Sequence, residues 1–280
     1  MLRLAVTTRA ESFGRMRDPL ADRGVELVHV DPRGEATPLS EPSVPDVDVG
    51  FVYPSRLMEG AVLDAALSVP WVNGRDAVLT SRNKAGVLAR LAAADVPVPE
   101  TVHLSHPVSD ADLRAAFERV GAPAVVKPNS ATRGVGVTRA SDLDSLRGVA
   151  DYLDLVHDFR ATGDKSALLQ AFVPDATDYR VMVVDGAYAG AVERRGEGWT
   201  HNVHRGARAQ AADPGSAVRE VAERAAAVLD VRYLGVDVLV GPDGPVVTET
   251  NARPTVDDAD KYVPDFYDRL AGLVRSVTRA

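Results

Sequence analysis

Apolar residues along this chain alternate between two rhythms, one suited to strands and one to helices. Short apolar runs at 2–7, 25–30, 47–53 and 71–72 read as strands, and the spacing over 15–22 and 57–67 predicts helices between them, with Gly24 as the break before the second strand. Strand and helix in alternation predict a small α/β layer over residues 1–78. The stretch 31–46 carries Pro32, Pro38, Pro42 and Pro45, so it is expected to be an exposed loop.

Thr80 or Ser81 is placed to cap a helix running to about residue 94, which the Val96-Pro97-Val98-Pro99 run then stops. A helix over 109–120, a strand at 124–127 halted by Pro128 and a strand at 135–139 follow, the two strands being joined by residues 129–134. A polar helix over 143–159 comes next, then strands at 167–172 and 180–184 and an Asp185-Gly186 turn into 188–193. An Ala-rich helix over 217–229 and a strand pair at 235–240 and 246–250 close the pattern. The expected organisation is an N-terminal unit 1–78, a central unit 79–168 and a C-terminal unit 169–280 of an α/β (α+β) chain.

At 280 residues, 45% hydrophobic and 26% charged, the chain can bury roughly three-quarters of its unfolded surface, which excludes a disordered or fibrous protein. Acidic residues number 40 and basic ones 32, a formal charge of −8. That balance argues against nucleic acid as a partner, because phosphate-backbone binding needs a positive field. The absence of cysteine excludes disulfides, thiolate metal sites and a thiol nucleophile. No apolar run reaches about 18 residues, so no membrane association and a cytoplasmic location are expected. Lysine occurs only at positions 84, 127, 165 and 261. Where arginine serves nearly everywhere else, each lysine is a candidate for a role that needs a compact ammonium.

The segment 235–254, GVDVLVGPDGPVVTETNARP, carries the chemistry most directly. Pro242-Asp243-Gly244 suits a three-residue hairpin loop with glycine left-handed, which sets 241 against 245 and Asp237 against Glu249. Asn251 then shares their face of the ribbon. A two- or four-residue loop would instead put the two acids on opposite faces. Carboxylates opposed in this way repel by roughly 0.2–1 kcal/mol on a surface and more when buried, so a cation is expected between them. Two hard carboxylates and an amide oxygen form a set suited to Mg2+ (or Mn2+), which completes its shell with substrate phosphates; the alternative is separate pairing of each acid with an arginine.

With these residues in place, the chain resembles the ATP-grasp ligases, most closely the RimK-type glutamate ligases and the lysine-biosynthesis carrier-protein ligases, over nearly its whole length. The resemblance implies an ATP-grasp fold, with an N-terminal Rossmann-like pre-ATP-grasp unit, a central lid subdomain and a C-terminal subdomain that holds the metal on Asp237, Glu249 and Asn251. It implies that Lys84, ahead of VPVPET, and Lys127, in VVKPNSATRGVGV, bind ATP phosphates. The segment after Lys127 offers Ser130, Thr132, Arg133, Gly134 and Gly136 to a lid over the triphosphate. Gln170, Ala171, Phe172 and Val173 match the adenine-facing hinge.

Asp178 and Arg180, Arg194, and Asn202 with Arg205 match the pieces that line the junction of γ-phosphate and acceptor carboxylate. Bringing a carboxylate up to a triphosphate needs a pre-built cationic pocket, and forked arginine donors supply one. His201 and His204 have no carboxylate partner at motif spacing and are not expected to be catalytic. Beyond Asn251 the chain departs from the RimK-like pattern of small residues and Pro-Gly, and Ala207 stands where a second glycine is common. Arg253 becomes a candidate phosphate or substrate-carboxylate contact, while Asp257, Asp258 and Asp260 are expected to be solvated.

The implied activity is ATP-dependent ligation of a small-molecule or peptide carboxylate to an amine through an acyl phosphate, by an enzyme that similar proteins run as a dimer or tetramer. Phosphorylation of a substrate without ligation, or nucleotide binding without catalysis, are the alternatives.

Overall fold

A computed structural model describes residues 1–8, 11–31, 33–34, 36–131, 134–156, 164–196, 199 and 208–279. The chain opens with β1 (Leu2–Val6), α1 (Glu11–Ala21), β2 (Val25–His29), β3 (Val49–Val52), α2 (Leu57–Leu67) and β4 (Trp71–Asn73). These strands form a parallel sheet in the order β2-β1-β3-β4. Parallel strands need both faces covered, and Leu4, Ala5, Val6, Val25, Val49 and Phe51 are buried accordingly.

Helices α3 (Arg75–Arg82) and α4 (Lys84–Ala93) follow, where one helix from Thr80 or Ser81 was expected. The break falls at Asn83, whose side-chain oxygen accepts from the Gly86 amide at 2.9 Å and caps α4. Ser81 is committed to tertiary contacts instead, donating to the Thr250 carbonyl at 3.0 Å and accepting from the Ala252 amide at 2.9 Å.

The central region comprises β5 (Thr101–Ser105), α5 (Asp110–Val120), β6 (Ala124–Pro128), β7 (Thr138–Ala140), α6 (Leu143–Val156) and β8 (Ser166–Ala171), with the antiparallel sheet ordered β5-β8-β6-β7. Strand β7 starts three residues later than the apolar run predicts. Gly134 and Gly136 take left-handed φ of 68° and 75°, and a Cβ on Gly136 would sit 2.6 Å from the Pro128 ring, so only glycine fits that approach. Leu113, Ala116, Leu146, Ala150 and Leu153 of α5 and α6 pack against Ala124, Val126, Ala167 and Leu169, which leaves Val125, Lys127, Leu168 and Gln170 on the other face.

The last region contains β9 (Thr177–Val184), β10 (Ala187–Arg195), β11 (Arg208–Ala211), α7 (Ser216–Leu229), β12 (Tyr233–Gly241), β13 (Gly244–Asn251) and α8 (Phe266–Val277). Its sheet is antiparallel, ordered β11-β10-β9-β12-β13. Val181, Val183, Leu234, Val236 and Val238 bury one face under α7 and α4. On the opposite face Met182, Val184, Ala189 and Tyr233 join a core shared with the N-terminal sheet and α8. Helix α8, with Phe266, Leu270, Leu273 and Val274 buried, was not foreseen, nor were β5 and β11.

Candidate active site

Beyond that apolar core, the same face of the β9–β12–β13 sheet turns polar. The loop between β12 and β13 has two residues, with Gly241 opposite Gly244, and not the three expected. Register therefore runs one residue off, with Leu239 opposite Val246, until a bulge leaves Thr248 unpaired. That extra residue restores Asp237 opposite Glu249 and Gly235 opposite Asn251. Both acids and the amide thus occupy one face, as the sequence led us to expect, by a different local route.

Asp237 is 6% exposed and meets Arg180 in a two-pronged pair, Nε to Oδ1 and Nη2 to Oδ2, each 2.7 Å. Arg194 reaches the same carboxylate at 3.4 Å and binds Asp178 at 3.0 Å through Nε and 2.5 Å through Nη2. Burial alone would push the Asp237 carboxyl up, but the two guanidiniums together hold it well below the ordinary carboxylate range. Asp237, reciprocally, drives Arg180 further above its already high value. The acid pair is therefore neutralised on one side by arginines, and on the other by a lysine: Lys84 Nζ lies 3.5 Å from Glu249 Oε1.

Lys84 is 5% exposed at the first turn of α4. Its ammonium also donates to the carbonyls of Asn129, at 3.3 Å, and Ala131, which ties it to the strand end that leads into the 129–136 loop. Lys127 donates to Gln170 Oε1 at 2.6 Å, and Gln170 in turn donates to Thr101 Oγ1 at 3.0 Å. Burial pushes the Lys127 ammonium below its ordinary value; Lys84 adds to that, and Glu249, Asp237 and Asp178 oppose it. The two lysines and three acids thus form one electrostatic neighbourhood built from α4 and the central and C-terminal sheets.

At the start of the loop Ser130 donates to Asp164 at 2.6 Å, and Asp164 also takes the Ser166 hydroxyl at 2.5 Å and amide at 3.0 Å. Along the expected adenine hinge, the Ala171 amide is used by the Glu100 carbonyl at 2.8 Å. Phe172 lies under Arg139, 5.5 Å from the ring centroid, and edge-on to Trp199. Val173 packs against Gly241, where a Cβ would come within 2.5 Å of its Cγ1.

A RimK-like ATP-grasp domain matches residues 81–265. The chain belongs to the RimK-like ATP-grasp family. A protein of Mannheimia succiniciproducens named "Probable alpha-L-glutamate ligase" is 30% identical over 254 residues, 85% of this chain and 82% of that protein. Another of the same name, from Shewanella halifaxensis, is 29% identical over 75% of this chain, but the chain spans only 45% of its length. The crystal structure of a RimK domain ATP-grasp protein from Sphaerobacter thermophilus superposes with a TM-score of 0.67 at 25% identity, covering 99% of this chain and 100% of that one. The fold is the ATP-grasp fold.

Among the RimK-like features read from sequence, Thr132, Arg133, Asn202 and Arg205 lie outside the described residues, as do His201, His204 and Ala207. Asn251 shares the face of Asp237 and Glu249, and its side-chain oxygen accepts from the Arg253 amide at 2.8 Å. Among the described residues no group of three or more acids or histidines is placed to hold a metal ion; Asp237, Glu249 and Asn251, two carboxylates and an amide on one face of the ribbon, are hard oxygen donors of the type Mg2+ takes. Two residues of the acidic cluster are paired, while Asp260 is exposed. Asp257 pairs with Lys261 at 2.9 Å and Asp258 with Arg15 at 3.0 Å.

The sequence places Asn129 at the head of the lid segment without a role of its own and does not single out Asp164. Asn129 accepts from the Ala85 amide at 2.9 Å and donates to Ser166 Oγ at 3.1 Å, which joins α4, β6 and β8 behind the two lysines. A short polar residue directly after Lys-Pro was the available signal. Among the described residues no helix is long and apolar enough to cross a membrane.

Proposed function

We propose that this protein is an ATP-dependent carboxylate–amine ligase that works through an acyl phosphate, with units 1–78, 79–168 and 169–280 as its N-terminal, lid and metal-bearing parts and a cytoplasmic location. The observation that carries the reading is the convergence of Lys84 and Lys127 on the same neighbourhood as Asp178, Asp237 and Glu249. ATP is the nucleotide, and the phosphates fall to the two lysines, whose compact ammoniums tolerate a ligand that changes shape during reaction. Asp237, Glu249 and Asn251 would hold a divalent cation, which when bound offsets phosphate charge.

A carboxylate oxygen of the acid substrate attacks the γ-phosphorus and the bond to the β-phosphate oxygen breaks, which releases ADP. The amine then attacks the acyl carbon, phosphate leaves with the bond electrons, and the amine loses a proton. Arg180 and Arg194 are already held in place by Asp237 and Asp178, so their positive charge faces the anionic junction without reorganising. Arg205 and Asn202 are assigned to the same junction. The relatives' name makes L-glutamate the first acid or amine to try.

A phosphate-release screen of acids crossed with amines, L-glutamate among both, tests the reading with Glu249→Ala as the blank. We expect at least one pair to give ADP, phosphate and an amide, and Glu249→Ala to lose roughly a hundredfold or more. A stable phosphoester as product, or ATP binding with no turnover on any pair, would reject it.

A further inference from the structure

The two lysines assigned to the nucleotide phosphates share one neighbour to which the ligase reading gives no part. Asn129, two residues after Lys127 and 7% exposed, makes a hydrogen bond with every polar group it has. Its amide donates to the Ser166 carbonyl at 3.0 Å and its side-chain Nδ2 to the Ser166 hydroxyl at 3.1 Å, so it is fixed twice on β8. Its carbonyl accepts from the Lys84 amide at 3.5 Å, and its side-chain Oδ1 from the Ala85 amide at 2.9 Å.

Those two are the first N–H groups of α4, which the helix itself cannot satisfy. The third, at Gly86, is taken by the Asn83 cap. Apolar packing leaves this junction unset. Val87 and Leu91 of α4 belong to the core under the C-terminal sheet, whereas β6 and β8 belong to a separate core with α5 and α6. Among the described residues, the hydrogen bonds from α4 to the central region end on Asn129 and Ala131.

The consequence falls on Lys84. Its Nζ returns to the Asn129 carbonyl at 3.3 Å, so one residue holds the lysine at both ends: the backbone through Oδ1 on the neighbouring amide, and the ammonium through the carbonyl. Lysine has one of the largest rotamer entropies to lose on being fixed, and here that loss is incurred in folding instead of on binding a ligand. Of the three N–H bonds on Nζ, Asn129 and Ala131 take two. The third is left to Glu249 at 3.5 Å, a loose contact that a phosphate oxygen can replace.

We propose that Asn129 is a positioning residue for nucleotide binding: by joining α4 to β8 it sets the Lys84 ammonium in a fixed place relative to Lys127, and both meet the triphosphate without rearrangement. The inference rests on the ligase reading, in which the two lysines bind phosphate, and adds to it the residue that sets their spacing.

Calorimetric titration of the full-length protein in the presence of Mg2+ tests it, with a non-hydrolysable ATP analogue and with adenosine, which keeps the base and ribose and lacks the phosphates. Asn129→Ala should bind the analogue at least tenfold more weakly than the wild type, and adenosine within twofold of it. A residue that merely supported the fold would weaken both alike. In a Lys84→Met background the same substitution should weaken analogue binding less than threefold, because its effect runs through that ammonium. If Asn129→Ala melts early, Ser166→Ala, which removes the partner of Nδ2 and leaves Asn129 on Lys84 and Ala85, decides by the same comparison, with at least a threefold loss for the analogue and none for adenosine. Analogue affinity that both variants keep, equal losses for analogue and adenosine, or the full tenfold loss in the Lys84→Met background would overturn the assignment. Failure of the ligase reading alone looks different: analogue binding still depends on Asn129 and no acid–amine pair yields ADP. Failure of the inference alone leaves ADP formation with an unchanged KM for ATP in Asn129→Ala.

Discussion

One face of the five-stranded sheet is divided between two chemistries that are only two residues apart. On β9, Asp178 and Arg180 belong to the charge network and Met182 and Val184 to the core; on β12, Asp237 belongs to the first and Tyr233 to the second. The apolar end docks the sheet on the N-terminal unit and α8 by burial, which is non-directional and tolerates small errors. The charged end is held by short, paired contacts that fix both distance and angle. The division teaches how a charged centre can be rigid without being apolar: packing positions the strands, and ion pairs set the donors on them.

The largest effect is expected where the network loses its centre. Asp237→Ala removes the carboxylate shared by Arg180 and Arg194 and leaves Arg180 without a directly bonded acid in a largely desolvated setting. A broken buried pair of this type costs about 3–5 kcal/mol. The variant should therefore show a clear drop in denaturant midpoint together with loss of ADP formation at temperatures where it is still folded. A variant as stable as the wild type would mean that the arginines are solvated and the charged end is not preorganised.

The pattern of apolar and polar positions made the two-residue-period strands and most helices readable, including the helix 57–67 to the residue. It also paired Asp237 with Glu249, although the turn has one residue fewer than its Pro-Asp-Gly suggested. Thr248 makes up the difference by bulging, with its hydroxyl 3.4 Å from the Asp237 carbonyl. Nothing local announces a bulge, because Thr is an ordinary strand residue and the cause is a tertiary fit. Ser81 shows the same limit. It reads as a cap, yet its hydroxyl is spent on Thr250 and Ala252, some 170 residues away. The residues of the site were legible as types, since lysines are rare here and acids unusual inside strands; which cation would face which acid was not, because the partners lie 16 to 165 residues apart in the chain.

Lys127 sharpens the comparison from the central sheet. Its ammonium is held below its ordinary value of 10.5, chiefly by burial. A lowered folded value means that the unfolded chain binds more protons between the two values, so native stability rises with pH across that window. Replacing Lys127 by Met removes both the buried charge and the rise. We expect Lys127→Met to melt no lower than the wild type near neutral pH, with the two melting temperatures converging as pH increases, and to lose roughly a hundredfold in turnover. Melting curves across pH, read beside ADP release, check both parts; full activity in Lys127→Met would remove the lid strand from the site.

The smallest effect on turnover is expected at the apolar end, with Val184→Ala. Val184 is 1% exposed in the core shared by β9, the N-terminal sheet and α8. Two methyl groups lost there cost about 2 kcal/mol in transfer and cavity terms. Between Val184 and the charge network stand Val183, buried on the opposite face, and Met182, which pairs with Gly235 and is untouched by the change. Arg180 is fixed by Asp237 and not by the packing below it. Below its melting temperature Val184→Ala should therefore turn over at the wild-type rate, with an unchanged KM for ATP, while its urea midpoint falls. A parallel fall in turnover at low temperature would show that the core, and not the ion pairs, holds the arginines in place.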